Sequence, residues 1–509
     1  MERSLDGNFR GLGMGLIRFD VYPATLLDDW PEVHRAYLGG ADGRIYPTRI
    51  EIEGRTIGCR RNSSESCHLQ IAYLLPGRGR VMVSTTTLPE REAPYLLSVE
   101  LARGKIVQLR NQSAQWQLAG MQLPTEFGDR LKEAQRQFAK AALSQNDAET
   151  ATLLADEALN LAFMASDHLI VSYRQQAWAG RQQRFSLAPS LVGCELGPSE
   201  PPKTKQAEFL SCFNAASVSA NWRDIEAIEG EYAWEFTDRQ LEFCEAHRLT
   251  VRAGSLIDLG AAGLPDWLTP WEHDFFNLQS FICDFVETAI GRYAGRVRLW
   301  EVAARFNTGG VLSLNEEARL SLVARILDIA RQVDGESQFL VRVDQPWGEY
   351  QARGQHRLTP LQAVDALVRS GVGLSGVNLE IAVGYLPGGT ALRDPLEFSR
   401  LIDQWSLMGI PLYVTLACPS ETGIDPQHAS DIEPDPHVWP RPCDERQQAA
   451  WLDQIVPLLL AKPSVAGVFW SNFSDATPHR FPNAGLVTAQ ETPKLALARL
   501  QAWAQSRRR

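Results

Sequence analysis

From about residue 185 onward, short apolar runs alternate with amphipathic stretches of helix length, and this alternation leaves few folds open to the chain. The apolar runs cover 191–196, 216–220, 250–257, 297–303, 339–343, 376–381, 412–417 and 467–470. Helical periodicity follows at 234–247, 277–292, 315–333, 360–370, 395–408, 445–460 and 493–504. Apolar strands interleaved with helices are the pattern of a parallel sheet buried on both faces. Eight such units predict an α/β fold, a (β/α)8 TIM barrel, over 183–509. No Gly-x-Gly-x-x-Gly or phosphate-loop motif follows any of these runs, which argues against a doubly wound nucleotide-binding sheet, and no cofactor is expected.

A chain of 509 residues exceeds one ordinary core, and its first part has another texture. Alternating runs at 48–53, 68–75, 80–87, 95–100 and 105–110 predict strands, with Gly-containing turns at 75–80 and 101–105. The expectation is an antiparallel β-sandwich over 1–118. Its role is either structural or carbohydrate-binding, with Tyr46, Tyr73, Tyr95 and Trp116 as the available aromatics. The period then changes. Phe127, Leu131, Ala134, Phe138 and Ala142 recur at helical spacing, and a second helix opens at Asn146 with Glu149 as a capping box and runs towards Trp178. A helical hairpin over 119–182 therefore connects the two larger parts.

The formal charge of -11 argues against nucleic acid or an anionic membrane as partner. There is no 18-residue apolar run, and residues 1–7 lack the apolar core of a leader, so a cytoplasmic protein is expected. The eight cysteines form no Cys-x-x-Cys pair; only Cys59, Cys67 and His68 cluster, and no metal is expected.

Four places in the second half resemble glycoside hydrolase family 10, the xylanase family. They are Phe213 to Trp222 continuing to Glu226 and Tyr232; Arg252 to Asp258 with Leu264-Pro-Asp-Trp267; Trp300 to Arg305; and Gly467-Val-Phe-Trp470 with Asp475 and Pro493-Lys494. The resemblance implies a sugar polymer as partner and a retaining glycosidase, which needs two carboxylates about 5 Å apart, supplied in this family by strands four and seven. At those positions stand Arg305 and Leu416, and the family's third-strand His falls on Gly254. The expected xylanase pair is missing; Glu421, after strand seven, is the candidate if the equivalence is shifted by a few residues.

Strand-end carboxylates share the mouth of such a barrel, which makes Glu195, Asp258, Asp344, Glu380 and Asp475 candidates. Glu380, in an apolar strand end where burial raises a carboxyl's pKa, pairs with Asp344 as the candidate catalytic couple. The alternative is an ion-pair network with Arg252, Arg305 or Arg342. Trp347, Tyr385, Trp470 and Trp439 are candidates to stack on a sugar ring, with Asp258, Asp475 and His479 to meet its hydroxyls. Three functions follow: a glycan-binding homologue without the family's hydrolysis, a glycosidase with relocated carboxylates, or a non-catalytic scaffold for a protein partner.

Overall fold

The computed structural model describes residues 15–183, 190–260, 263–354, 356–439 and 443–508. The leader reading at 1–7 and the first residues of the βα region, 185–189, lie outside them.

The amino-terminal part is β-rich and largely antiparallel. Strands β1 (Gly15–Asp20), β2 (Tyr37–Gly39), β3 (Ile45–Tyr46), β4 (Arg49–Glu53), β5 (Thr56–Arg61), β6 (His68–Leu75), β7 (Gly79–Ser84) and β8 (Tyr95–Leu96) form two sheets, ordered β4-β5-β1-β8 and β3-β2-β6-β7. Alternate residues Ile17, Phe19, Ile57, Cys59, Leu69 and Ile71 are buried, the period of strands with one face on a core.

The strands expected at 95–100 and 105–110 are corrected. Beyond Leu96 the chain is helix α1 (Leu97–Leu118), and the expected turn at 101–105 lies inside it. Leu97, Leu101, Lys105, Leu109 and Trp116 are buried along with Ala102 and Ile106, so three- and four-residue spacing prevails over the two-residue alternation. Gly104 marks close packing there: a Cβ would lie 1.9 Å from the Ser84 carbonyl oxygen at the end of β7. Helices α2 (Thr125–Leu143) and α3 (Ala148–Gln183) complete the connector. Asp147, rather than Asn146, accepts from the Thr150 amide and hydroxyl at the α3 start.

The barrel follows with β9 (Leu191–Glu195), α4 (Gln206–Cys212), β10 (Ala215–Val218), α5 (Trp222–Ile225), α6 (Glu235–Ala246), β11 (Thr250–Asp258), α7 (Phe275–Arg292), β12 (Leu299–Ala304), α8 (Glu316–Val333), β13 (Gln338–Asp344), α9 (Pro360–Arg369) and β14 (Leu374–Ala382). A small pair, β15 (Tyr385–Leu386) and β17 (Glu433–Pro434), decorates the loops around α10 (Pro395–Ser406) and β16 (Leu412–Ala417). Then come α11 (Glu445–Ala461), β18 (Val465–Trp470) and α12 (Leu495–Arg508). The eight long strands close in the order β10-β11-β12-β13-β14-β16-β18-β9, all parallel. No helix among the described residues is long and apolar enough to cross a membrane.

The three parts are sewn together by buried polar contacts. The amides of Arg80 and Met82 on β7 donate to the Val438 and Leu392 carbonyls of the barrel loops at 2.9 and 2.8 Å. Lys105 of α1 and Ser166 of α3 meet on the buried carboxylate of Asp394, at 2.6 and 2.8 Å.

Candidate functional site

Side chains alternate along each barrel strand, so every second residue enters the barrel. The lowest layer is apolar, with Ala215, Leu299, Leu340, Tyr413 and Phe469 packed together. Above it the interior turns polar: Ser217, Arg252, Glu301, Arg342, Asn378 and Thr415 are all buried and joined by hydrogen bonds.

Arg342 is the hub. Its Nε donates to Glu301 at 2.7 Å and Nη1 to Glu380 at 2.9 Å, while Nη2 meets Glu195. Arg252 reaches Glu195 at 2.8 Å and Thr415 at 3.3 Å, and its guanidinium lies 3.9 Å from the centre of the Phe469 ring. Glu301, fully buried, also accepts from Asn378 at 2.6 Å and from Ser255. Higher in the mouth, Arg480 donates to Glu380 at 2.6 Å and to Asp344 at 3.4 Å, and Arg305 pairs with Asp258. Four guanidinium groups (Arg252, Arg305, Arg342, Arg480) thus meet five carboxylates (Glu195, Asp258, Glu301, Asp344, Glu380), a set that is neutral when one carboxyl holds a proton.

Which carboxyl takes that proton first as pH falls follows from the surroundings. Burial raises the Asp344 pKa, the neighbouring Glu380 charge adds to this, and the group is pushed up to about 6. One Asp344 oxygen is buried without a partner. Burial works on Glu380 too, but Arg480, Arg342 and Arg305 outweigh it and hold that carboxyl down at about 2. The expected rise at Glu380 is therefore corrected: it occurs on its neighbour across the strand pair, Asp344. Arg305 is lowered to about 10 by burial and by the like charge of Arg480.

The strand-seven position is corrected in phase. Thr415 and Ala417 face the interior, Thr415 bonding to Asn378 and Arg252, whereas Leu416 packs with the outer core. No carboxylate therefore enters from β16, and Glu421 is exposed on the loop beyond it. On β12 a register shift between Glu301 and Ala303 changes the inward phase, pairing Ala304 with the inward Arg342 and leading the chain into Arg305 at φ 53°.

Of the residues singled out in the sequence, Glu195, Asp258, Asp344 and Glu380 come together with Arg252, Arg305 and Arg342; Trp347, Tyr385, Trp470, Asp475 and His479 have other partners. Trp347 packs on Phe398 with the Arg393 guanidinium 4.6 Å from its ring centre. Tyr385 is buried, its hydroxyl donating to the Pro482 carbonyl at 3.0 Å, and the Trp470 indole donates to Ala484 at 2.7 Å. Asp475 is ion-paired with Lys494, and His479 bonds Asp425 at 2.8 Å and the Thr477 carbonyl at 2.7 Å. These residues clamp loops. Asp425, Asp475 and His479 form the one group among the described residues whose possible ligand atoms lie within 4.8 Å, and the Lys494 ammonium already supplies the cation beside Asp475. Cys59, Cys67 and His68 form no such group. Of the sandwich aromatics, Tyr73, Tyr95 and Trp116 are buried, which leaves no exposed platform among those four beyond the partly covered Tyr46.

Glu301 and Arg480 join the network although neither stands among the sequence candidates; the signal for Glu301 is a charge inside an apolar strand, and Arg480 is harder to find. It lies in a loop, outside any periodic segment, so its signal was limited to a cation one step beyond His479.

Strand order and closure define a (β/α)8 barrel, with its polar centre at the carboxyl ends of the strands. The model of glycosyl hydrolase family 10 matches residues 199–321, the stretch from α4 through β12 into α8. Endo-1,4-beta-xylanase 3 of Hypocrea jecorina is 27% identical over 127 residues, 24% of this chain and 36% of that protein. Endo-1,4-beta-xylanase C of Paenibacillus barcinonensis is 24% identical over 144 residues, 26% of this chain and 13% of that one. The chain thus spans about a third or less of the curated relatives it matches. Among solved structures, xylanase 10B of Thermotoga petrophila, in complex with xylobiose, aligns with a TM-score of 0.48 at 14% identity, covering 66% of this chain and 97% of that one. Over residues 199–321 the barrel is thus similar to glycosyl hydrolase family 10, and the relatives it resembles are xylanases.

Proposed function

We propose that the barrel mouth binds a glycan and that the chain does not carry out the double-displacement hydrolysis of its family. The observation that carries this reading is the fate of the strand-end carboxylates. Glu195, Asp258, Asp344 and Glu380 are each ion-paired to an arginine and Asp475 to Lys494, and strand seven sends only Thr415 and Ala417 inward. A carboxylate held by a guanidinium is a poor nucleophile, because attack would strip it of the charge that stabilises it. Arg480 and Glu195 remain partly open to the mouth, at 28% and 22% exposure, and offer donors and an acceptor to sugar hydroxyls. The division into a β-rich part, a helical connector and the barrel belongs to the same reading, with the first two bracing the barrel.

One observation favours a second reading, a glycosidase with relocated carboxylates. Asp344 near 6 beside Glu380 near 2 is an acid and a base whose environments push them apart.

Both readings meet in one experiment. The purified protein is incubated with xylan and a panel of α- and β-linked oligosaccharides, with products followed by mass spectrometry and binding by calorimetry on the same samples. Binding without product supports the proposal. Product that disappears in both Glu380→Gln and Asp344→Asn establishes the relocated pair, and absence of both binding and product refutes a glycan site at the mouth.

A further inference from the structure

The loop after β18 carries Arg480 into the mouth, and its preceding residue, His479, fastens that loop to the one after β16. The His479 amide donates to the Gln427 carbonyl at 3.2 Å, and the His479 carbonyl accepts from the Ala429 amide at 2.8 Å. Arg480 follows directly, its carbonyl accepting from the Ser430 hydroxyl at 2.7 Å and its guanidinium donating to Glu380 and Asp344. Whatever holds His479 thus also sets where Arg480 stands.

The His479 ring meets acceptors on both sides. Nδ1 lies 2.7 Å from the Thr477 carbonyl oxygen, and Nε2 lies 2.8 Å from a carboxylate oxygen of Asp425. A carbonyl cannot donate. Asp425 does not donate either: burial opposes its charge, but the Asn483 and Gln427 amides and His479 outweigh burial and hold its carboxyl below the usual range. Each ring nitrogen therefore supplies its own proton, and a ring with two N–H groups is an imidazolium. The charge count agrees. Asp425, Asp475 and His479 bring their polar atoms within 4.8 Å of one another, Lys494 is paired with Asp475, and all four residues are buried. Two carboxylates and one ammonium leave a buried excess of one negative charge, which the imidazolium cancels.

We propose that His479 is a proton-operated latch: as an imidazolium it holds the loop after β18 closed and Arg480 in the mouth, and loss of the proton releases both. It is a positioning residue, acting through Arg480. The consequence for ligand binding rests on the glycan reading of the mouth, whereas the latch is read without a ligand. Deprotonation turns a ring lone pair towards an acceptor oxygen and leaves the cluster's negative charge uncompensated. Closure is therefore favoured at low pH and lost as pH rises. The titratable groups around His479 are Asp425 and His428 of the loop after β16, Asp475 and Arg480 of its own loop, Lys494 before α12, and Tyr385, whose hydroxyl bonds the Pro482 carbonyl.

The test uses the full chain with nitrogen-15 in its histidine rings, together with amide exchange of peptides spanning 425–432 and 476–484, corrected for intrinsic rates. His479, identified by the signals missing from His479→Gln, is expected to carry both ring protons at pH 6.5 and to lose one by pH 9. Over the same interval, protection of both peptides falls by at least roughly 10-fold. That pH dependence persists in His428→Gln and Asp344→Asn and is absent from His479→Gln. A neutral His479 ring at pH 6.5, protection that stays level while the ring loses its proton, or a pH dependence that survives in His479→Gln overturns the proposal. Calorimetry with xylohexaose separates the two readings. Affinity is expected to fall with the latch in the wild type and to stay level in His479→Gln; level affinity in the wild type while the loop loosens overturns the link to Arg480. If no sugar binds at either pH while the loop still loosens, the glycan reading fails and the latch stands.

Discussion

Arg342→Met puts the central network to the sharpest test. The methionine fills much of the arginine's volume and removes the charge, leaving three carboxylates to find other partners. Glu195 keeps Arg252 at 2.8 Å and Glu380 keeps Arg480 at 2.6 Å. Glu301 keeps only Arg252, at 3.8 Å, although its bonds to Asn378 and Ser255 remain. It is fully buried, and its pKa is held down at present because Arg342 and Arg252 outweigh burial. In the variant burial wins, and Glu301 takes a proton rather than sit uncompensated. Protonating a glutamate at pH 7.5 against an unfolded pKa of about 4.3 costs at most roughly 4 kcal/mol, which matches the ~3–5 kcal/mol usual for breaking a buried pair. The sign then follows. A carboxyl whose folded pKa is raised is a deficit that grows as pH rises above the unfolded pKa, so at pH 5.5 the same calculation leaves about 1.6 kcal/mol. Hydrogen exchange read on peptides from β12, β13 and β14 follows the barrel without assuming that the whole chain unfolds in one step. A loss below about 1 kcal/mol at pH 7.5, or one that is equal at pH 5.5, would refute a network in which Arg342 compensates buried charge.

The remaining expectations concern single residues. Asp344→Asn removes a carboxyl whose folded pKa, about 6, lies above its unfolded value, so it stabilises the chain at pH 7.5 by roughly 1–3 kcal/mol and the gain vanishes below about pH 4; thermal unfolding at both pH values measures it. Gly104→Ala forces a Cβ against the Ser84 carbonyl and lowers stability by about 1–3 kcal/mol, read as a drop in the melting temperature. Lys105→Met strands the buried Asp394 carboxylate at the seam and costs about 3–5 kcal/mol, with exchange rising first at the α10 start. Leu416→Glu releases no reducing sugar from xylan and yields less soluble protein, because that side chain faces the helices rather than the barrel axis.

The barrel was legible because its evidence is periodic. Eight apolar runs and their helices recur over hundreds of residues, and every run located in the sequence lies on an observed strand. The connector was legible for the same reason, except at its first helix, where Tyr95 to Glu100 reads equally at spacing two and at spacing four; packing of Leu97, Leu101 and Leu109 into the core decides it. The site was less legible, since it depends on phase rather than period. A one-residue error exchanges the interior of a strand for its exterior, which is how Leu416 came to stand for Thr415 and Ala417. The register shift after Glu301 adds a change of phase that no pattern of apolar residues records, yet it brings Ala304 into the interior and aims Arg305 at Asp258. Charge is the signal that survives such slips. Arg342 and Glu301 each interrupt an apolar strand, and a charged residue buried there must meet its opposite across the barrel. Reading those interruptions as pairs, rather than looking for one acidic couple, leads from the sequence to the network and assigns Glu380 the low pKa that burial alone would have denied it.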